Sequence, residues 1–94
     1  MGGDLLFEWD QANVGHHARH GISPAQAEQA VLDPAAVVLE IQAGAEERVK
    51  LVGMEAGGLI IVVIFTFRGD AVRPITAYNA TLRMQKIYLE QERI

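Results

Sequence analysis

The run LIIVVIFTF, residues 59–67, has no polar side chain before Thr66 and is bounded by the turn-rich stretches EAGG (55–58) and RGD (68–70). Uninterrupted apolar and β-branched character between such boundaries predicts a strand at the centre of a sheet, covered on both faces or nearly so. Working outward, RVKLVGM (48–54) precedes it and AVRPITA (71–77) follows it, while AVVLEI (36–41) is set off by QAGAE (42–46). Gaps this short fit hairpins, so the four runs predict an antiparallel meander. Pro74 has no N–H to donate, which predicts an edge or bulge position for the fourth strand. RGD (68–70), although it has the form of an adhesion tripeptide, is explained by the turn it must make.

The period changes on both sides of the strands. Ser23, Pro24 and Gln26 supply an N-cap, a first helical residue and a capping-box partner, followed by Ala27, Ala30, Val31 and Leu32 on one side; Asp33-Pro34 ends that helix. Upstream, Asp10 is a candidate cap for a helix over QANVGHHARH (11–20), with Gly21 as its terminator and Trp9 as a hydrophobic staple. Downstream, Asn79 or Thr81 can cap a last helix that turns Ala80, Met84, Ile87 and Tyr88 inward, and Arg83, Lys86 and Glu90 toward water. The predicted architecture is α+β: two N-terminal helices, a four-stranded antiparallel sheet and a C-terminal helix, in one domain spanning 1–94.

A chain of 94 residues with no cysteine can bury one core and holds neither a disulfide nor a thiolate zinc site. Its N-terminus lacks a basic start followed by an apolar run, and residues 59–65 are too few to cross a bilayer, so a cytoplasmic protein without membrane insertion is expected. The formal net charge of -4 argues against strong nonspecific nucleic-acid binding. That average conceals a division: residues 1–47 hold eight acidic side chains and one basic one, Arg19, whereas residues 48–94 hold seven basic and four acidic. A basic face in the second half is compatible with this distribution, as is an ordinary solvated surface.

Several motifs in order carry a family resemblance: FEWD (7–10), ARHGIS (18–23), DP (33–34), EER (46–48), RGD (68–70), and Arg73-x-Ile75-Thr76-Ala77 before the last helix. Together they resemble the BrnT-type ribonuclease toxins of type II toxin–antitoxin pairs, over roughly Phe7 to Tyr88. The resemblance implies a RelE-like fold, a metal-independent endoribonuclease without cofactor, an RNA substrate and a cognate antitoxin. Tyr78 stands where that family typically carries arginine, and the last helix holds fewer cations than usual. The alternative is therefore a toxin-like domain that has lost catalysis and acts as a protein-binding module.

Metal-free RNA cleavage needs a base for the 2′-hydroxyl proton, an acid for the leaving 5′-oxygen, and cations around the phosphorane. His17 and His20 are the candidate acid and base, with Arg19 nearby for phosphate; His20 as a helix-terminal residue and partly exposed His16 and His17 form the competing reading. Arg48 and Lys50, two apart on one strand, share a face and can grip a phosphate while Val49 and Leu51 point into the core. Arg73, among apolar neighbours, calls for a carboxylate or a phosphate, and Glu47 is a possible partner. Tyr78 either stacks on a base or packs at the sheet edge, and Arg83 and Lys86 are candidate RNA contacts on the last helix. The histidine pair at i,i+4 does not by itself make a metal site, and none is expected. An uncovered 59–65 segment would be adhesive, so a partner or homo-oligomer is expected.

Overall fold

A computed structural model describes residues 5–92, in the order β1 (Leu6–Phe7), α1 (Gln11–Arg19), α2 (Pro24–Leu32), β2 (Val37–Gln42), β3 (Arg48–Met54), β4 (Ile60–Arg68), β5 (Ala71–Asn79) and α3 (Leu82–Glu92). The sheet has five strands in the order β1-β5-β4-β3-β2 and is mixed. Strands β2 to β5 form the antiparallel meander, and β1 adds to β5 in parallel through Leu6 opposite Ala71 and Phe7 opposite Val72. This corrects the expected arrangement of two leading helices and a four-stranded antiparallel sheet: a strand precedes α1 and makes the sheet mixed. Two residues are too short a run to show alternation, and the partner that makes them a strand lies more than sixty residues away.

Pro74 follows from the same geometry. The strand carrying it is internal where β1 pairs, but β1 reaches only Val72, and the β4–β5 register slips between Ile64/Thr76 and Phe65/Pro74, leaving Ile75 as the bulged residue. Proline therefore sits at a bulge beyond the added strand, where its missing N–H is tolerated. α1 packs on β5, and the Asn13 side-chain amide donates to the Pro74 carbonyl at 2.9 Å.

The helix ends have the caps their residue types favour. Asp10 and Asn13 close a reciprocal capping box on α1, Ser23 and Gln26 close another on α2, and the Thr81 hydroxyl accepts from Met84 N at 3.2 Å at the start of α3. Gly21, with φ 73°, turns the chain between α1 and α2.

β4 divides the core. One face buries Ile61, Val63 and Phe65 with Val49, Leu51, Val72 and Ala77 against Ile22, Ala27 and Ala30. Each fully buried valine, leucine or isoleucine side chain there contributes about 1.5–3 kcal/mol. The small residues Ala27 and Ala30 let α2 lie close to the sheet, where Gly53 of β3 meets the Ala30 carbonyl with no room for a Cβ. On the other face, Val52 and Val62 pack with Ala80 and Tyr88, and α3 covers only that end. Asp33, at the end of α2, fastens the assembly by accepting from Ala35 N at 2.9 Å, Met54 N at 2.9 Å and the Tyr88 hydroxyl at 2.6 Å.

Candidate functional site

The sheet register arranges the second face into rows. Residues directly opposite in an antiparallel ladder point to the same side. The first row, Val37, Val52, Val62 and Tyr78, lies toward α3; the next is Glu40, Lys50, Ile64 and Thr76; the third is Gln42, Arg48, Thr66 and Arg73. Val49 and Leu51 are each 6% exposed beneath the other face, which commits Arg48 and Lys50 to this one. Because α3 packs over the first row, the second and third rows are left open on their β2–β3 side, where Glu40, Gln42 and Arg48 are exposed, whereas Thr66 farther along the third row is buried.

Two depressions mark that surface. Arg48, Lys50, Glu40, Gln42 and Ile64 line the first. The second runs under the first turns of α3, with Leu39, Met84 and Ile87 as apolar walls and Lys50, Arg83 and Glu40 as charged ones. Lys50 and Glu40 belong to both, so the depressions adjoin. Among the described residues, Arg48, Lys50 and Arg83 take part in no ion pair, unlike Arg68 and Arg73. Lys86 lies apart from this group, with Leu82, Gln85, Leu89 and Glu90 on another side of α3.

Arg73, at the β5 end of the third row, is held by carboxylates. Its Nη1 lies 3.0 Å from Glu8 Oε1 and 2.9 Å from Asp10 Oδ2, and its side chain is 13% exposed. The carboxylate partners are thus Glu8 and Asp10, not Glu47, whose backbone carbonyl accepts from the Thr66 hydroxyl at 2.6 Å. The hydrogen bond from Arg73, supported by the Asn13 and Ala12 amides against some desolvation, holds the Asp10 carboxyl below its ordinary value. Reciprocally, the bond to Asp10 raises the guanidinium of Arg73, with Glu8 adding to the effect. Arg68 reaches the same Glu8 oxygen at 3.2 Å.

The histidines part company. His17 is fully buried, correcting the expectation of partial exposure: its ring meets Trp9 edge-on at 4.9 Å, and the Trp9 indole N–H donates to Glu28 Oε2 at 2.8 Å. Nδ1 lies 2.7 Å from the Asn13 carbonyl, an acceptor only, so Nδ1 carries the proton and donates. Nε2 has no hydrogen-bond partner among the described residues. Burial pushes the His17 imidazole below its usual value, and it is neutral and sealed from solvent. His16, Arg19 and His20 are exposed. His20 caps the end of α1 and meets the Tyr78 ring edge-on at 6.1 Å, so Tyr78 packs between the α3-covered core and an imidazole.

The structure therefore brings Arg48, Lys50 and Arg83 together and His20 together with Tyr78; it does not join His17, Arg73 or Lys86 to either group. Glu40 and Gln42 are the residues sequence reasoning missed. Alternation in VVLEIQ does point both the same way, and only the β2–β3 register shows that they face Lys50 and Arg48. No three histidine, aspartate or glutamate side chains converge as a metal site among the described residues.

Residues 9–83 match the family described as ribonuclease toxin, BrnT, of type II toxin-antitoxin system. Comparison with curated proteins found no relative.

Proposed function

The chain belongs to the BrnT family of ribonuclease toxins of type II toxin–antitoxin systems, and from that premise we propose that it is a metal-independent endoribonuclease that binds RNA across the open half of its sheet. The observation that carries this reading is the trio Arg48, Lys50 and Arg83, which adjoin on an open face without intramolecular carboxylate partners among the described residues. A cation already satisfied, like Arg73, has little to offer a phosphate; three unsatisfied ones in adjoining depressions match a single strand's backbone.

In this mechanism Arg48 and Lys50 flank the scissile phosphate and stabilise the charge that grows on its oxygens as the 2′-oxygen attacks. Arg83 holds a neighbouring phosphate, and the apolar walls Leu39, Met84 and Ile87 receive a base. His20 and Tyr78 lie at the far side of the face, where the exposed His20 imidazole beside the half-buried Tyr78 ring offers a stacking surface for a flanking nucleotide. His17, sealed and neutral, has a packing role. The proposed partner is a cognate antitoxin that neutralises the activity, and the proposed location is the cytoplasm; no helix among the described residues is long and apolar enough to cross a membrane.

Cleavage of a mixed RNA by purified protein in EDTA tests the reading, with the double variant Arg48→Ala, Lys50→Ala as control. The wild type should cleave and the variant should not. For the variant, the slope of log binding constant against log salt should shrink by about 1.4, since each lost single-strand phosphate contact removes about 0.7. RNA binding without cleavage by the wild type would favour the protein-binding alternative, for which Tyr78 at the family's arginine position is the sequence observation.

A further inference from the structure

We infer that Glu40 is the base that takes the 2′-hydroxyl proton, an assignment that rests on the ribonuclease reading above. The reaction needs a proton acceptor beside the phosphate cations, and the histidines do not supply one there. His17 has no access to solvent. His20 sits against Tyr78 on β5, while the cation-lined depressions lie over β2 and β3. From β5 to β3, the strand that carries Arg48 and Lys50, is two strand spacings, about 10 Å.

Glu40 is where the acceptor is required. It stands directly opposite Lys50 in the β2–β3 ladder, on the same face as Arg48 and Gln42, and is exposed. It is the carboxylate that lines both depressions, as Lys50 is the cation that lines both. A strand of RNA passing from one depression to the other with a phosphate on Lys50 brings the adjoining ribose over Glu40. Despite facing Lys50, Glu40 forms no ion pair or side-chain hydrogen bond among the described residues, so its oxygens are available. The charged groups around it are Lys50 and Arg48 from β3 and Arg83 from α3.

The step balances without a co-reactant beyond water. Glu40 accepts the proton as the 2′-oxygen bonds to phosphorus; the bond from phosphorus to the 5′-oxygen breaks, and its electron pair leaves with that oxygen. Water protonates the departing oxygen, and the resulting hydroxide takes the proton back from Glu40. The products are a 2′,3′-cyclic phosphate and a 5′-hydroxyl, with no net water consumed.

The test compares wild type, Glu40→Gln and Glu40→Asp in single-turnover cleavage of a single-stranded oligoribonucleotide in EDTA, alongside binding of its non-cleavable 2′-O-methyl analogue. Glu40→Gln should lower the cleavage rate about 10²- to 10⁴-fold, the usual worth of a general base. Its affinity for the analogue should be unchanged or tighter, the acid limb of the rate–pH profile should vanish, and Glu40→Asp should restore part of the rate. A Glu40→Gln rate within about threefold of wild type, with the wild-type pH profile, overturns the assignment and leaves the ribonuclease reading standing. Parallel loss of binding and cleavage in Glu40→Gln also overturns it, because the residue then only shapes the surface. A wild type that binds the analogue but never cleaves overturns both.

Discussion

Replacing Asp33 with alanine should cost about 3–4 kcal/mol of folding stability. The side chain accepts from Met54 N at 2.9 Å and from the Tyr88 hydroxyl at 2.6 Å, which join the end of α2 to β3 and α3; its bond to Ala35 N is local and secondary. A hydrogen bond to a charged acceptor is worth about 1.5–3 kcal/mol, and taking the two long-range bonds near the lower bound gives the figure. Set against about 5–14 kcal/mol for a domain of 94 residues, that is a large share. Urea unfolding followed by circular dichroism measures it: with a slope of about 1.5 kcal/mol per molar, the midpoint should fall by about 2–2.7 M at unchanged slope. The effect also has a pH signature. Burial works to raise the Asp33 carboxyl, but the Tyr88, Met54 and Ala35 hydrogen bonds outweigh it and hold it below its ordinary value. A carboxyl lowered in the folded state contributes stability that is complete above its unfolded value near 3.9 and lost as pH falls through the folded value. The gap between wild type and Asp33→Ala should therefore narrow as the solution is acidified below about pH 4. A midpoint shift under about 0.5 M at neutral pH, at unchanged slope, would refute the clamp.

Two other changes test the packing. Gly53→Ala drives a Cβ into the Ala30 backbone carbonyl, which cannot swing aside as a side chain can; a loss of about 1–3 kcal/mol is expected. A thermal melt should show it as a fall of several degrees, and an unchanged melting temperature would mean that α2 can lift off β3. His17 should make stability fall between about pH 6.5 and its lower folded value, by up to about 1.4 kcal/mol per pH unit, because the unfolded chain takes up a proton that the buried ring refuses. Equilibrium unfolding of wild type and His17→Leu across that range checks the sign: the slope should be shallower in the variant.

The features legible in the sequence are those decided by neighbours along the chain. Ser23 and Gln26 are three residues apart, and a capping box needs nothing else; Asp10 is legible as a cap in the same way, but its Asn13 partner is not, because that position of the box ordinarily holds Glu or Gln. The β3 alternation likewise separates Arg48 and Lys50 from Val49 and Leu51 on local pattern alone. What was hidden depends on distant partners. Leu6–Phe7 becomes a strand only beside Ala71 and Val72, and Arg73 finds Glu8 and Asp10 only because that strand is there. The five-residue connection between Gln42 and Arg48 does not by its length fix which β2 residue faces Lys50; the pairing runs unbroken from Gln42–Arg48 to Glu40–Lys50 and slips only beyond, between Val38 and Glu40. Helical spacing distinguishes His16, His17 and His20 but does not tell which of them turns inward; the position of α1 against β5 and Trp9 does.

The parallel pairing of β1 with β5 has a consequence for how the chain acquires its structure. Much of what holds residues 6–13 lies at the other end: Ala71 and Val72 for β1, Pro74 for Asn13, and Arg73 for Glu8 and Asp10. The β2–β3–β4 hairpins close between neighbours and can form early, but contacts spanning more than sixty residues must wait for a large loop to close. On a chain emerging N-terminus first, β1 and α1 are made first and docked last. An incomplete product ending before residue 71 would carry Leu6 and Phe7 without the strand that receives them, and it is this truncated form that chaperones and proteases would encounter.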